Sequence, residues 1–385
     1  MIFLDVNDWQ LTARNEAGDI MLRQLAGASS ASGTLQFGDE AVKFSRSHPQ
    51  QFNNKYFYSL APDPVAGDLR PAQNHADLIY HHLRALGLPA SQPVVLCVGG
   101  HLTKQQLGLL LGICKEANLP VLGFIDAALA QSLSVTANSD YHVLDVELHR
   151  MTLSHVSVAQ GQRENRQTTV LDGAGVANLV DGWMNVIADE FVQKTRFDPL
   201  HAGESEQQLY DQVTSWLARN QLADHRVSVT NGSASRDIEV SAALLATKLD
   251  QRLSAFDFEQ VQHLVLSPRA SAVPGLKALF EARAMPLQTC VEADLIGNYQ
   301  RLAAQLDTQE ARRITSITVE PSGSAVVEAT ELEINAQPRA THLLAEHVAY
   351  PIDSPRFDTH VDPSNVAPGD EVDCEGQRFV AIRLE

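Results

Sequence analysis

Few residues in this chain stand at spacings that perform chemistry. Histidines come closest, at His81-His82, His142, His149 and His155. On an alternating strand pattern His149 and His155 share a face but stand well apart along it, and no third ligand has suitable spacing. The reading is structural or surface histidine rather than a metal centre. The cysteines, Cys97, Cys114, Cys290 and Cys374, are not paired at metal-ligand spacing. Cys97 and Cys114 sit in apolar stretches, as buried free thiols do. There is no G-x-S-x-G nucleophile elbow and no Walker-type phosphate loop. Gly173-Ala174-Gly175 reads as a tight strand-to-helix turn. The polar-aromatic segment 196–201 reads as a connector or a partner-contact loop.

Bulk properties narrow the classes. At about 150 residues per domain, 385 residues imply two or three domains. No apolar run approaches the roughly 20 residues of a spanning helix; the longest, 107–114, contains glycines and ends at Lys115. The N-terminus enters a strand pattern directly, so no signal peptide is expected. Free thiols and no leader point to a reduced, cytoplasmic setting. The formal charge of -18 repels phosphate backbones and anionic lipid. Neither nucleic acid nor membrane is therefore an expected partner.

The elements that must position any site are legible from periodicity. Residues 1–6, 9–14 and 20–25 read as a strand meander. Helical spacing follows at 74–88, a buried strand at 93–100, a helix at 103–118, a strand at 121–125 and a helix at 126–133. The pattern then restarts with strands at 141–146, 151–159 and 167–171. Long helices follow at 176–195 and 204–220. A hairpin is expected around Asn231-Gly232, a helix over 241–255 with Ser241 as N-cap, a strand at 263–266, and helices at 273–283 and 292–306. Beyond residue 307 prolines punctuate short strands at 315–319, 324–328, 331–334 and 379–384. The fold class is α/β, with a small β unit at the end.

Several motifs in order resemble one superfamily, that of actin and the heat-shock ATPases. Gly38-Asp39-Glu40-Ala41, His48-Pro49-Gln50 and Lys55 are similar to a stretch of the seventy-kilodalton heat-shock chaperones in which G-D-x-A precedes an asparagine-proline pair and a lysine. Residues 94–100, Thr103-Lys104-Gln105-Gln106 and Ala117-Asn118-Leu119-Pro120-Val121-Leu122 are similar to the chaperone strand, helix opening and "A-G-L-x-V-L". Residues 141–146 resemble the strand of the second phosphate loop. Residues 265–279 resemble the adenosine motif, and Val291-Glu292-Ala293-Asp294-Leu295-Ile296-Gly297 the opening of the closing helix. The resemblance spans residues 1–306. It implies a two-lobed actin-like ATPase fold with duplicated ribonuclease-H-like lobes: lobe I at 1–137, lobe II at 138–308 and a C-terminal β-rich domain at 309–385.

The departures from that family matter more. Its first phosphate loop, D-x-G-T-T/S, is here Asp5-Val6-Asn7-Asp8-Trp9; its second, D-x-G-G-G-T, is Asp145-Val146-Glu147-Leu148-His149-Arg150. The glycines that let backbone amides approach phosphate are gone. Leu266-Ser267-Pro268-Arg269 replaces the glycine pair of the adenosine motif. Where a catalytic glutamate belongs stands Ala127, with Asp126 one residue early. At about 1.5–3 kcal/mol per charge-assisted hydrogen bond, four or five losses exceed the roughly 8 kcal/mol of micromolar binding. The resemblance leaves Asp5, Lys55, Asp145, Gly173 and Gly175 as a vestigial phosphate and magnesium site. The expectation is a non-hydrolysing, chaperone-like pseudo-ATPase without a cofactor, ATP and magnesium being disfavoured, and with a protein partner. The rival is a nucleotide-dependent chaperone-like ATPase with divergent loops. Asp8, Trp9, Glu147 and His149 are expected to face the cleft.

Overall fold

Two six-stranded sheets organise the first 320 residues, and each grows around one fully apolar strand. Ile2–Val6 is buried along its whole length, as is Val94–Val98, which is what a near-continuous apolar run buried on both faces predicts. These observations come from a computed structural model, which describes residues 1–307, 311–319, 341–345, 348–351, 354, 370–374 and 377–382.

In the first sheet, Ile2–Val6 pairs antiparallel with Gln10–Asn15, which pairs antiparallel with Ile20–Leu25. On its other side Ile2–Val6 pairs parallel with Val94–Val98, and that strand with Val121–Asp126. The second sheet repeats this plan. Tyr141–Val146 pairs antiparallel with Arg150–Ala159, which pairs with Gln162–Asp172. Its other neighbour is Leu264–Leu266, parallel, followed by Leu287–Thr289. Within these two sheets, the strands from residues 1–137 belong to the first and those from 138 onward to the second. The exception is a crossing segment. Arg313–Ile314 extends the first sheet beside Val121–Asp126, and Ser316–Thr318 extends the second beside Gln162–Asp172.

Helices cover these sheets where the sequence provides caps and apolar stripes. Asn74 caps His75–Ala85 by accepting from the Asp77 amide. Thr103 and Gln106 form a capping box at Lys104–Glu116. Val176–Thr195 buries Leu179, Val180, Trp183, Met184, Ile187 and Phe191 on one face. Ser241 caps Ala242–Leu253 as expected. The Ala127–Ser132 helix is buried at every position. It packs on Leu295–Ala303 in an apolar cluster fed by both sheets, including Phe3, Val95, Val143, Val265 and Tyr299.

Some elements differ from the sequence reading. The hairpin turn falls one residue later, because Asn231 still pairs with Ala234. The helix expected at 273–283 begins only at Leu276 and runs to Ala282, because Gly275 before it takes a left-handed φ of 82°, and a separate short helix, Pro268–Ser271, precedes it. Ala28–Ser29, Gln36–Phe37 and Phe52–Asn53 form a small three-stranded sheet too short to leave a periodic signal. The chain divides into compact units Met1–Glu320 and Pro321–Glu385. Strands 313–314 and 316–318 therefore belong with the first unit, whereas the sequence reading began the tail at 309. Their main-chain pairing to the two sheets sets that boundary. The second unit holds an antiparallel sheet in the order Val348–Pro351, His342–Ala345, Gln377–Ile382, Glu371–Cys374. The strands expected at 324–328 and 331–334 lie outside the described residues. Among those described, no helix is long and apolar enough to cross a membrane.

Candidate functional site

Each sheet's central strand places an aspartate one residue before its end: Asp5 in Ile2–Val6 and Asp145 in Tyr141–Val146. The structure brings these two carboxylates to one guanidinium. Arg269 Nη1 lies 2.5 Å from Asp5 Oδ2, and Arg269 Nη2 lies 2.5 Å from Asp145 Oδ2. The local chain explains the placement. Leu264–Leu266 runs parallel to Tyr141–Val146 with Leu266 opposite Leu144, so the chain leaves the strand one residue short of Asp145. Ser267 then caps the Pro268–Ser271 turn through the Ala270 amide, and its hydroxyl donates to Asp145 Oδ1 at 2.6 Å. Pro268 occupies the first helical position, where no amide is needed. Arg269 is thereby aimed at the strand ends. Gln131, from the buried helix, donates to Asp145 Oδ2 at 2.9 Å.

Charges in this triad are unequal, and the two aspartates respond oppositely. Burial pushes both carboxyls up. At Asp145 the attraction of Arg269 and the hydrogen bonds from Arg269, Gln131 and Ser267 outweigh burial and hold it below its ordinary value. At Asp5 burial wins over Arg269, helped by repulsion from Asp145, and its pKa is raised. Asp5 Oδ1 has no hydrogen-bond partner among the described residues. Arg269 is raised well above its usual range by the two aspartates, against the opposing effect of burial. The guanidinium is permanently charged and links one sheet to the other.

The turn amides beside the triad have acceptors within the protein. The Trp9 amide donates to Asn7 Oδ1 at 2.8 Å, and the Val146 amide to Asp145 Oδ1 at 2.8 Å. Leu148 N donates to Asp8 Oδ1. The Glu147 amide donates to the Arg150 carbonyl at 2.9 Å. At the start of helix Val176–Thr195, the Val176 and Ala177 amides donate to the carbonyls of Glu147 and Leu148 at 3.0 and 2.8 Å. Helix N-termini otherwise leave such donors for an anion; here the 146–150 turn takes them.

This arrangement corrects the expectation that Asp8 and Glu147 face the cleft. Both are buried, at 3% and 5% exposure. Asp8 reaches across to the opposite turn, accepting from Leu148 and contacting His149 Nδ1 at 2.9 Å. Glu147 Oε2 sits 3.0 Å from Arg150 Nε, and Arg150 stacks over the Tyr58 ring at 4.0 Å. Burial, reinforced by Asp8 and Asp145, pushes Glu147 well up against the pull of Arg150. His101, 3.6 Å from Glu147, is driven by burial down to about 3 and is neutral at physiological pH. Trp9 is half-buried and lines a cavity beside the triad, and His149 is half-buried with its ring 5.1 Å from that of Tyr58.

The remaining sequence candidates separate. Gly175 is the N-cap of Val176–Thr195, and a Cβ there would lie 2.4 Å from backbone atoms of Leu148, His149 and Arg150. Its glycine serves this close approach of helix and turn. Gly173 turns the chain with φ 76° and has open space around it. Lys55 is not brought to the triad; it is exposed ahead of Tyr56–Ser59, and its charge acts on His75. Asp126 is fully buried, caps Ala127–Ser132, accepts from Asn165 at 3.0 Å and pairs with Arg313 at 2.5 Å. Those contacts commit it to structure. Cys97, Cys114 and Cys290 are free and buried, and no metal-binding cluster of His, Cys, Asp or Glu occurs among the described residues.

Sequence reasoning missed Arg269 and its supports, Ser267 and Gln131. It also missed Arg46, which pairs with Asp181 and Glu206 and lies 4.8 Å from the Tyr210 ring centroid. One signal was available: two strand-end aspartates buried together demand a counter-charge. Beside the triad lies a cavity of about 400 Å³ between the first sheet and the helices that cover the second. Compared with known proteins, the chain matches no protein-family model and no curated protein.

Proposed function

We propose that the protein is a pseudo-ATPase of the actin and heat-shock chaperone type, a two-lobed scaffold that binds a protein partner and neither holds nor hydrolyses ATP. Two observations support the lobed reading. Both sheets follow the same strand order, third-second-first-fourth-fifth, with the second strand antiparallel. Both place an aspartate at the same point of the first strand. That repetition is what duplicated ribonuclease-H-like lobes require.

The observation that carries the functional reading is the Arg269 guanidinium between Asp5 and Asp145. In an active member those carboxylates would face magnesium and phosphate. A guanidinium supplies the positive charge that a metal would bring, yet it exposes no open coordination position and leaves no seat for phosphate. The turn amides that would hold phosphate are bonded to Asn7, Asp8 and the 147–150 turn. Ion pairs thus join the two halves, a role that a nucleotide performs in an ATPase, and a scaffold held this way presents a constant surface. Affinity capture from the native cell is expected to recover the same partners in the same amounts with Mg-ATP, with ADP or with neither. Release of a partner by Mg-ATP, but not by ADP, would favour the nucleotide-dependent rival.

A further inference from the structure

The cavity beside the triad has a composition that selects a ligand. Trp9 and Leu25 wall it from the first sheet, and Leu148, Val180 and Leu217 from the opposite side. Its charged lining consists of Asp5, Arg14, Arg23, Arg269 and Glu292. Asp5 and Arg269 belong to the triad. Asp5, Thr12 and Arg23 are cross-strand neighbours, so they form a row on one face of the sheet. Strands lie about 4.8 Å apart, which sets Arg23 roughly 10 Å from Asp5 across the cavity floor.

At the Arg23 end the charges do not cancel. Arg14 and Arg23 both bind the same oxygen of Glu292. Arg14 is buried and also donates to the Gly18 carbonyl. The Arg23 side chain is 43% exposed, and its Nε and Nη1 have no acceptor among the described residues. Two guanidiniums against one carboxylate leave one positive charge and unused donors at the mouth of an apolar slot. Pockets of some 300–1,000 Å³ with apolar walls and a few placed polar groups are the usual form of small-molecule sites.

We propose that this cavity binds a small amphipathic monocarboxylate, an aromatic or medium-chain acid. Its apolar body lies between Trp9 and Leu217 and its carboxylate meets the free edge of Arg23. The inference goes beyond the scaffold reading and does not depend on it, because the ligand's charge sits at the sheet edge and not at the triad.

Calorimetry on the full chain tests it, with indole-3-acetate and octanoate as probes and tryptamine and octylamine as their cationic counterparts. Both acids are expected to bind saturably with a dissociation constant of about 1 mM or tighter, and both amines about tenfold more weakly or not at all. Arg23→Gln, at an exposed side chain that leaves the Arg14–Glu292 pair in place, should weaken the acids about tenfold by removing one charge-assisted contact. Thr214→Trp, on a half-buried cavity-lining position, should abolish binding by filling the slot. Failure of both acids to bind, equal binding of the amines, or acid affinity unchanged in Arg23→Gln would overturn the proposal. Competition between Mg-ATP and the acids bears on the scaffold reading alone. ATP binding without displacement of indole-3-acetate would sink that reading and leave this one standing.

Discussion

Arg269→Ala is expected to destabilise the first unit by about 3–5 kcal/mol at neutral pH, the usual cost of removing one partner from a buried ion pair. Two buried carboxylates would then face each other without a counter-charge, and both pKa values would rise. The pH dependence follows from that direction. A carboxyl whose folded pKa is raised contributes stability below its unfolded value, near 3.9, and loses it as pH climbs through the folded value. The variant should therefore be least stable relative to wild type at pH 7.5, and the gap should narrow on acidification toward pH 5. In the native protein Asp145 behaves oppositely. Its pKa is held below the ordinary value, so its contribution is present above about 3.9 and fades as pH falls below that. Adding Asp145→Asn to Arg269→Ala should recover part of the loss. Urea unfolding at the two pH values reads all of this. A loss under about 1 kcal/mol with an unchanged pH profile would mean that the triad does not hold the halves together.

Gly175→Ala is expected to cost about 3 kcal/mol, at the upper end of overpacking effects. Its φ of -67° is ordinary for any residue, so backbone strain is not the cause. The obstacle is the 2.4 Å approach to the backbone of Leu148, His149 and Arg150, which cannot rotate away as a side chain would. Moving the helix start would also loosen the Val176 and Ala177 amides from the carbonyls of Glu147 and Leu148. Gly173→Ala makes the control. Its φ of 76° is left-handed, but nothing crowds it, so about 1 kcal/mol of conformational strain is the expected cost. Urea midpoints for the two variants should separate clearly. Equal effects would show that the turn gives way and that the close approach is not a constraint.

How much of this was legible in the sequence depended on whether the signal was local. The strand 141–146 and the helix 176–195 were placed to the residue, because continuous apolar runs and a helical stripe are written in neighbouring positions. Ala28–Ser29 and Leu287–Thr289 were not, since two or three residues carry no period and owe their state to the strands beside them. The pair Asp5 and Asp145 was visible as strand-end acids. Arg269 was visible only as an oddity in a motif, because its partners lie 264 and 124 residues away in sequence. Asp8 misled for the same reason. Its sign alone suggested repulsion in an open cleft, while its actual partners, the Leu148 amide and His149, come from the other half of the chain. The crossing strands at 313–314 and 316–318 were read as the start of a separate tail, since proline-rich sequence just beyond them outweighs five residues of pairing.

We propose that Arg269 and the bonded turns leave no seat for a triphosphate, and the decisive measurement is calorimetry of the wild-type chain with Mg-ATP. No heat beyond dilution is expected at millimolar nucleotide. Saturable heat with a dissociation constant below about 100 μM, roughly 5.5 kcal/mol of binding, would contradict it.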